Sequence, residues 1–202
     1  GRVALVRSLP PRPAEGQATI ASRGRGRLER LLESSPSGVK ILYVISGYKP
    51  AYRGGGPVAS VAALAEGLVK RGHDPTVFTT NLNLDRPLDV PADRPLAVDG
   101  VTVWYFTVKQ LIKKYLPFVP YLANAQGYLY SPRMREALRA QVPGFDLVHT
   151  HLPFIYPTYA AARASRVARK PLFYHQRGVL DADHLKFRSL KKRVYLSLIE
   201  RP

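Results

Sequence analysis

Cysteine is absent from this chain, which excludes disulfides and thiolate metal sites and fits a reducing interior. No stretch approaches the ~18 consecutive apolar residues of a membrane span, so any membrane contact is expected to be peripheral. No apolar h-region follows the N-terminal arginines, so the chain does not start as a secretory signal. No internal repeat of the kind that builds solenoids stands out. Acidic residues are scarce: 14 Asp and Glu face 31 Lys and Arg, a formal net charge of +17. A basic excess of that size has three ordinary explanations: nucleic acid, an anionic membrane surface or an acidic small substrate. The nucleic-acid reading rests on charge alone. The aromatics lie mostly within apolar runs, where they serve a core, and no nucleic-acid motif appears; no nucleic-acid partner is expected.

The 202 residues, 46% of them apolar, suffice for one sizeable α/β domain with or without a tail. Residues 1–38 are rich in Pro, Gly, Ser and Arg, with little apolar periodicity. Disorder, or a leader that is not native coding sequence, is expected there. The chain begins with glycine, its single methionine is Met134, and Val39 stands where an alternative-codon start would fall. The end at Pro202, after a helix-like run without a cap signal, reads as that of a truncated domain.

From Val39 onward the pattern is regular. Lys40 to Ile45 is a nearly continuous apolar run, the mark of a buried parallel strand. Val58, Val61, Ala62, Ala65, Leu68 and Val69 then recur at helical spacing, with Pro57 at the helix start and Gly72 where a left-handed cap belongs. Thr76 to Thr80 is a second strand, 81–100 a long polar loop, and Val101 to Phe106 a third strand. Lys109 to Leu116 suits a short helix, which Pro117 and Pro120 interrupt. Ser131 and Pro132 open a helix through about Gln141. Asp146 to His151, Tyr156 to Val167 and Pro171 to His175 read as strand, helix and strand, and Asp183 to Ile199 as a basic helix. Strands alternating with helices predict a doubly wound, mostly parallel sheet.

Three groups of residues carry chemical promise. Gly54, Gly55 and Gly56 precede the first helix. They match neither a Gly-x-Gly-x-x-Gly dinucleotide fingerprint nor a P-loop. They either permit a tight turn or let an anion approach the helix N-terminus, with Arg53 as charge partner. His149 and His151 lie two apart on a strand and so share a face. A metal reading lacks a third ligand of suitable spacing. The expectation is that His149 packs under a helix while His151, exposed at the strand's carboxyl end before Pro153, faces the crevice where ligands sit. His175 and Arg177 repeat this arrangement one strand later; the plain alternative is a solvated turn. The last helix interleaves Lys186, Arg188, Lys191, Lys192 and Arg193 with apolar residues, and suits either an anionic membrane or open solvent.

Taken in order, the first strand with Gly54-Gly55-Gly56-Pro57, Lys70-Arg71-Gly72-His73, Phe145 to His151, Arg177 to Asp181 and Lys191 to Tyr195 resemble the N-terminal domain of a family 4 glycosyltransferase of GT-B type. The resemblance spans about residues 39–202. It implies a Rossmann-like α/β domain on the acceptor side of a two-domain, hexosyltransferase-like enzyme. Such an enzyme moves a sugar from a nucleotide-sugar with retention of configuration, without a metal or other cofactor. His151 matches a histidine near the transferring sugar, Arg177 an arginine suited to phosphate, and the glycine turn faces the donor phosphates. His175 occupies a position more often serine or proline. The implied acceptor is a glycan or lipid-linked precursor of bacterial cell-surface polysaccharide, used in the cytoplasm or at the inner membrane face. The C-terminal donor domain, with its nucleotide pocket, is read as absent, so these residues alone are expected not to turn over. A non-catalytic sugar- or phosphate-binding α/β module is the alternative.

Overall fold

A computed structural model describes residues 38–84, 86–109, 129–153 and 155–177. The expected leader through residue 37, the short helix over 109–116 beyond its first residue, and the basic helix over 183–199 lie outside the described residues.

Eight strands and three α-helices follow in chain order among the described residues. They are β1 (Lys40–Val44), α1 (Gly56–Val69), β2 (Asp74–Thr80), β3 (Leu82–Asn83), β4 (Arg86–Pro87), β5 (Pro95–Val98), β6 (Val101–Phe106), α2 (Pro132–Gln141), β7 (Leu147–His151), α3 (Tyr156–Val167) and β8 (Leu172–His175). The main sheet has six strands in the order β5-β6-β2-β1-β7-β8. All neighbours pair in parallel except β5 with β6. The doubly wound, mostly parallel architecture expected from the sequence is therefore present.

The continuous apolar character of β1 follows from its place. Ile41, Leu42, Tyr43 and Val44 are all buried, because a central strand has helices on both faces. One core gathers Leu42, Val44, Phe78, Phe106 and Val148 from the sheet with Met134, Leu138 and Val142 from α2 and its end, and Tyr156, Ala160, Ala161 and Ala164 from α3. Helix α1 lies over β2 and β6 on the other face, as a right-handed crossover from β1 to β2 requires. Its buried stripe is Val58, Val61, Ala62, Ala65 and Leu68. It ends as the sequence predicts: Gly72 takes φ +80°, and the N–H groups of Gly72 and His73 return to the carbonyls of Val69 and Leu68 at 3.0 Å each.

The region read as one long loop is a correction. Residues 81–100 hold the small β3–β4 pair and the antiparallel edge strand β5. β5 and β6 are joined by Asp99 (φ +50°) and Gly100 (φ +79°), two left-handed residues that make a tight hairpin turn. The Asp-Gly pair was its signal, masked by the prolines and acids around it. Lys49 ties this hairpin to α1, pairing with Asp99 at 2.7 Å and with Glu66.

Ser131 caps α2 as expected, its Oγ accepting from the Met134 N–H at 3.2 Å while the residue is fully buried. Replacing it removes the side-chain partner of a buried helix end. Ser131→Ala is expected to lower stability by about 1 kcal/mol in denaturant unfolding, with Ser131→Asp retaining more of it.

Candidate functional site

In the strand order, β1 separates a branch running to β2 and β6 from one running to β7 and β8. At such a reversal the connections leave in opposite directions and open a crevice at the carboxyl ends of the strands. A cleft of about 50 Å³ occupies that edge, lined by Ile45, Ser46 and Gly47 after β1, Thr80 at the end of β2, Leu152 after β7, and Gly54, Pro57 and Val58 around the start of α1. That volume holds a handful of waters, so the cleft is a wall for a larger ligand rather than an enclosure. Leu84, Leu129 and Leu152 also line it, and all three are left-handed, with φ of +64°, +58° and +68°. Leucines in this conformation are unusual, and backbone strain of this kind collects at functional sites.

The three glycines separate into different roles. A Cβ on Gly54 would stand 2.8 Å from the Val58 side chain. Gly55 caps α1 with φ +75° and ψ −152°, a conformation open essentially to glycine alone. Gly56 is the first residue of α1, so Pro57 stands one position later than the sequence suggested, and a Cβ on Gly56 meets nothing within 4 Å. The turn before them is held by Ala51 N–H to Tyr48 O at 2.7 Å and Gly54 N–H to Ala51 O at 3.0 Å. Exposed Arg53 donates its backbone N–H to Asn83 Oδ1 at 3.1 Å.

His149 and His151 share a face of β7, as strand alternation requires, and the parallel register sets His151 opposite His175 on β8. Ring centroids are 4.3 Å apart for His149–His151 and 5.5 Å for His151–His175. Tyr43 of β1 flanks the group on the same sheet face, its ring stacked 6.1 Å from His151. One expectation is corrected by this arrangement. His151 is not exposed: it is fully buried, and among the described residues neither ring nitrogen has a partner. The alternation that pairs it with His149 turns its ring onto the sheet face, alongside Tyr43, rather than out past the strand end. Helices α2 and α3 meet β7 through Val148 and Thr150, on the opposite face.

The third imidazole that the sequence spacing did not supply is His175, brought in from the neighbouring strand; the three rings offer nitrogens within 4.8 Å of one another. Arg177 (φ +55°), its Nε buried and unpartnered, stands near all three. His175 and Arg177 thus gather beside His151, but none of the three is among the residues that line the cleft, whose wall includes the glycine turn and Leu152, next to His151. Sequence reasoning missed Tyr43 and the cleft leucines. Tyr43 had a weak signal, as a polar-tipped residue inside an apolar central strand.

Burial pushes His149 down to about 4, reinforced by the charges of His175 and Arg177. Burial also lowers His151, with His149, Arg177 and His175 adding to it. At neutral pH the cluster is uncharged, each ring with one donor and one acceptor nitrogen. Such an arrangement can hold a hydroxyl or bind a metal; as it stands it supplies no imidazolium. Arg177 supplies the cation.

In open α/β sheets the crevice at a topological reversal is where ligands generally bind. The family comparison is specific: the model of the glycosyl transferase 4-like domain matches residues 55–202, and the chain belongs to that family. The match starts inside the glycine turn, leaving the central strand β1 to be read from the fold. No curated protein matches the chain. Among the described residues no helix is long and apolar enough to cross a membrane.

The division of labour among the glycines is testable by substitution. Gly55→Ala is expected to cost about 1–3 kcal/mol in unfolding free energy, while Gly56→Ala costs nothing measurable; equal losses would contradict their separate roles. The depressed His149 has a definite sign. Below about pH 6.5 the unfolded chain protonates this histidine while the folded chain does not, so stability falls as pH drops toward 4. By pH 5 the loss from His149 is about 2 kcal/mol. Urea midpoints at pH 7 and pH 5 in EDTA buffer, for wild type and His149→Gln, measure it; the variant has the flatter profile.

Proposed function

We propose that this glycosyltransferase domain is the acceptor-side half of a two-domain enzyme, in which residues 39–202 form one wall of the reaction cleft. It would transfer a sugar from a nucleotide-sugar, with retention, to a glycan or lipid-linked acceptor in bacterial cell-surface polysaccharide synthesis. The observation carrying this reading is the unspent hydrogen-bonding capacity of His151, buried beside Arg177 at the carboxyl edge of the sheet. Buried polar atoms nearly always have partners, and both nitrogens of this ring lack one among the described residues.

In this reading the neutral imidazole of His151 positions a hydroxyl of the transferring sugar, accepting at one nitrogen and donating at the other. Stabilising charge near the leaving diphosphate falls to Arg177, whose guanidinium suits phosphate oxygens. The space beside Gly56 and the start of α1 would admit the donor's phosphates, with Arg53 and the helix amides as partners. The basic balance of the chain favours phosphate-bearing, lipid-linked acceptors at the cytoplasmic face of a membrane. The nucleotide would be held by a second, donor-binding domain.

The test uses the 202-residue chain and a two-domain enzyme that contains it, each assayed with a panel of nucleotide-sugars and polyprenyl-phosphate-linked acceptors. The expected result is turnover only when both domains are present, with His151→Asn lowering kcat about 10²-fold or more and leaving KM nearly unchanged. Full activity of His151→Asn would remove its assigned role. Acceptor binding without turnover by the two-domain protein would favour a non-catalytic module instead.

A further inference from the structure

We propose that His149, His151 and His175 form a binding site for one divalent transition-metal ion, with Zn²⁺ as reference occupant, on the sheet face where β7 meets β8. The proposal concerns a different use of these side chains from the sugar chemistry above and does not depend on it. Two residues two apart on a strand, and a third directly across on its parallel neighbour, form a compact triangle of imidazoles. Their nitrogens lie within 4.8 Å of one another. Tetrahedral coordination at 2.0–2.1 Å places ligand nitrogens about 3.3 Å apart, so the rings need to close by at most about 1.5 Å. His175 is exposed, on the last strand of the described sheet, and has the freedom to make most of that movement.

A second observation points the same way. His151 is fully buried with both ring nitrogens unsatisfied, a costly arrangement that coordination at one nitrogen relieves. Tyr43, stacked on the ring, holds its plane. The donor set decides which ion is accepted. Imidazole nitrogens without carboxylate or carbonyl partners select Zn²⁺, Cu²⁺ or Ni²⁺ and reject Mg²⁺ and Ca²⁺. Arg177 opposes a bare dication from close by; its charge favours an anionic fourth ligand, with which the guanidinium can pair.

The experiment is a calorimetric titration of the EDTA-treated, dialysed 202-residue chain with ZnCl₂, paired with an absorption titration using CoCl₂. The expected outcome is one saturable ion per chain at micromolar concentration. Visible Co²⁺ bands should intensify as the ion leaves its octahedral aquo complex and vanish when Zn²⁺ displaces it. His175→Ala, at an exposed position, is expected to keep the far-ultraviolet circular dichroism and to weaken binding at least ~10-fold. Histidine-ring NMR of the wild type supplies a readout free of substitution: Zn²⁺ shifts the resonances of His149, His151 and His175 and leaves His73 in place. Absence of saturable binding, equal competition by Mg²⁺, unchanged affinity in His175→Ala, or shifts confined to other histidines would each overturn the proposal.

Discussion

The parallel pairing of β1 on both of its edges is the constraint from which the rest follows. Its register with β2 and with β7 fixes Tyr43 beside His149 on one flank and sets Val44 beside Phe78 on the other. Right-handed crossovers from a strand paired in this way must leave on opposite faces. Helix α1 therefore covers the β2 branch and α2 and α3 cover the β7 branch. The crevice between the departing connections is a geometric consequence of that split. Residues at the ends of β1, β2 and β7 line it because the topology leaves them nowhere else to point.

Most of the architecture was legible because its signals were local. The apolar run of β1, the stripe and glycine cap of α1, and the Ser131-Pro132 start of α2 each rest on interactions within a few residues. What was not legible was lateral. The chain placed His175 and Arg177 at a neighbouring strand end, but nothing in the spacing of His149 and His151 gives the register that sets His175 directly opposite His151 and closes a triangle of imidazoles. The burial of His151 escaped sequence reasoning for a related reason. Proximity to Pro153 suggested a side chain emerging at a strand end, but the alternation along β7 assigns that ring to the sheet face it shares with Tyr43. The missed hairpin is different. Asp99-Gly100 was a local signal, and the proline-rich surroundings were allowed to outweigh it.

The glycine turn shows why composition alone misleads about purpose. Three consecutive glycines suggest one shared function, yet their surroundings divide them. Gly54 is required by the Val58 side chain and Gly55 by its backbone conformation, and both requirements exist without any ligand. Gly56 has neither. It sits in helical geometry beside empty space, where alanine would serve the helix better. Folding thus accounts for Gly54 and Gly55 as a tight turn, and leaves Gly56 as the position of the run at which the proposed anion approach would act.

The strained backbone after His151 connects the sheet to the cleft. Leu152 takes φ +68° while its N–H donates to the His175 carbonyl at 3.1 Å and its own carbonyl accepts from the Thr158 hydroxyl at 2.6 Å. That hydroxyl in turn accepts from Thr150, so β8, α3 and β7 all hold the one peptide. A left-handed leucine costs about 1 kcal/mol or more, and it persists because bonds on both sides of the residue over-determine it. The consequence is stiffness where it matters. The backbone carrying His151 is clamped to the strand carrying His175, so neither ring's backbone can drift from the other without breaking the Leu152–His175 bond. The chain thus presents its imidazoles from a fixed frame, with the adjustable member, exposed His175, at the edge. Either of the proposed ligands, a sugar hydroxyl or a metal ion, would have to meet that frame mainly by movement of His175.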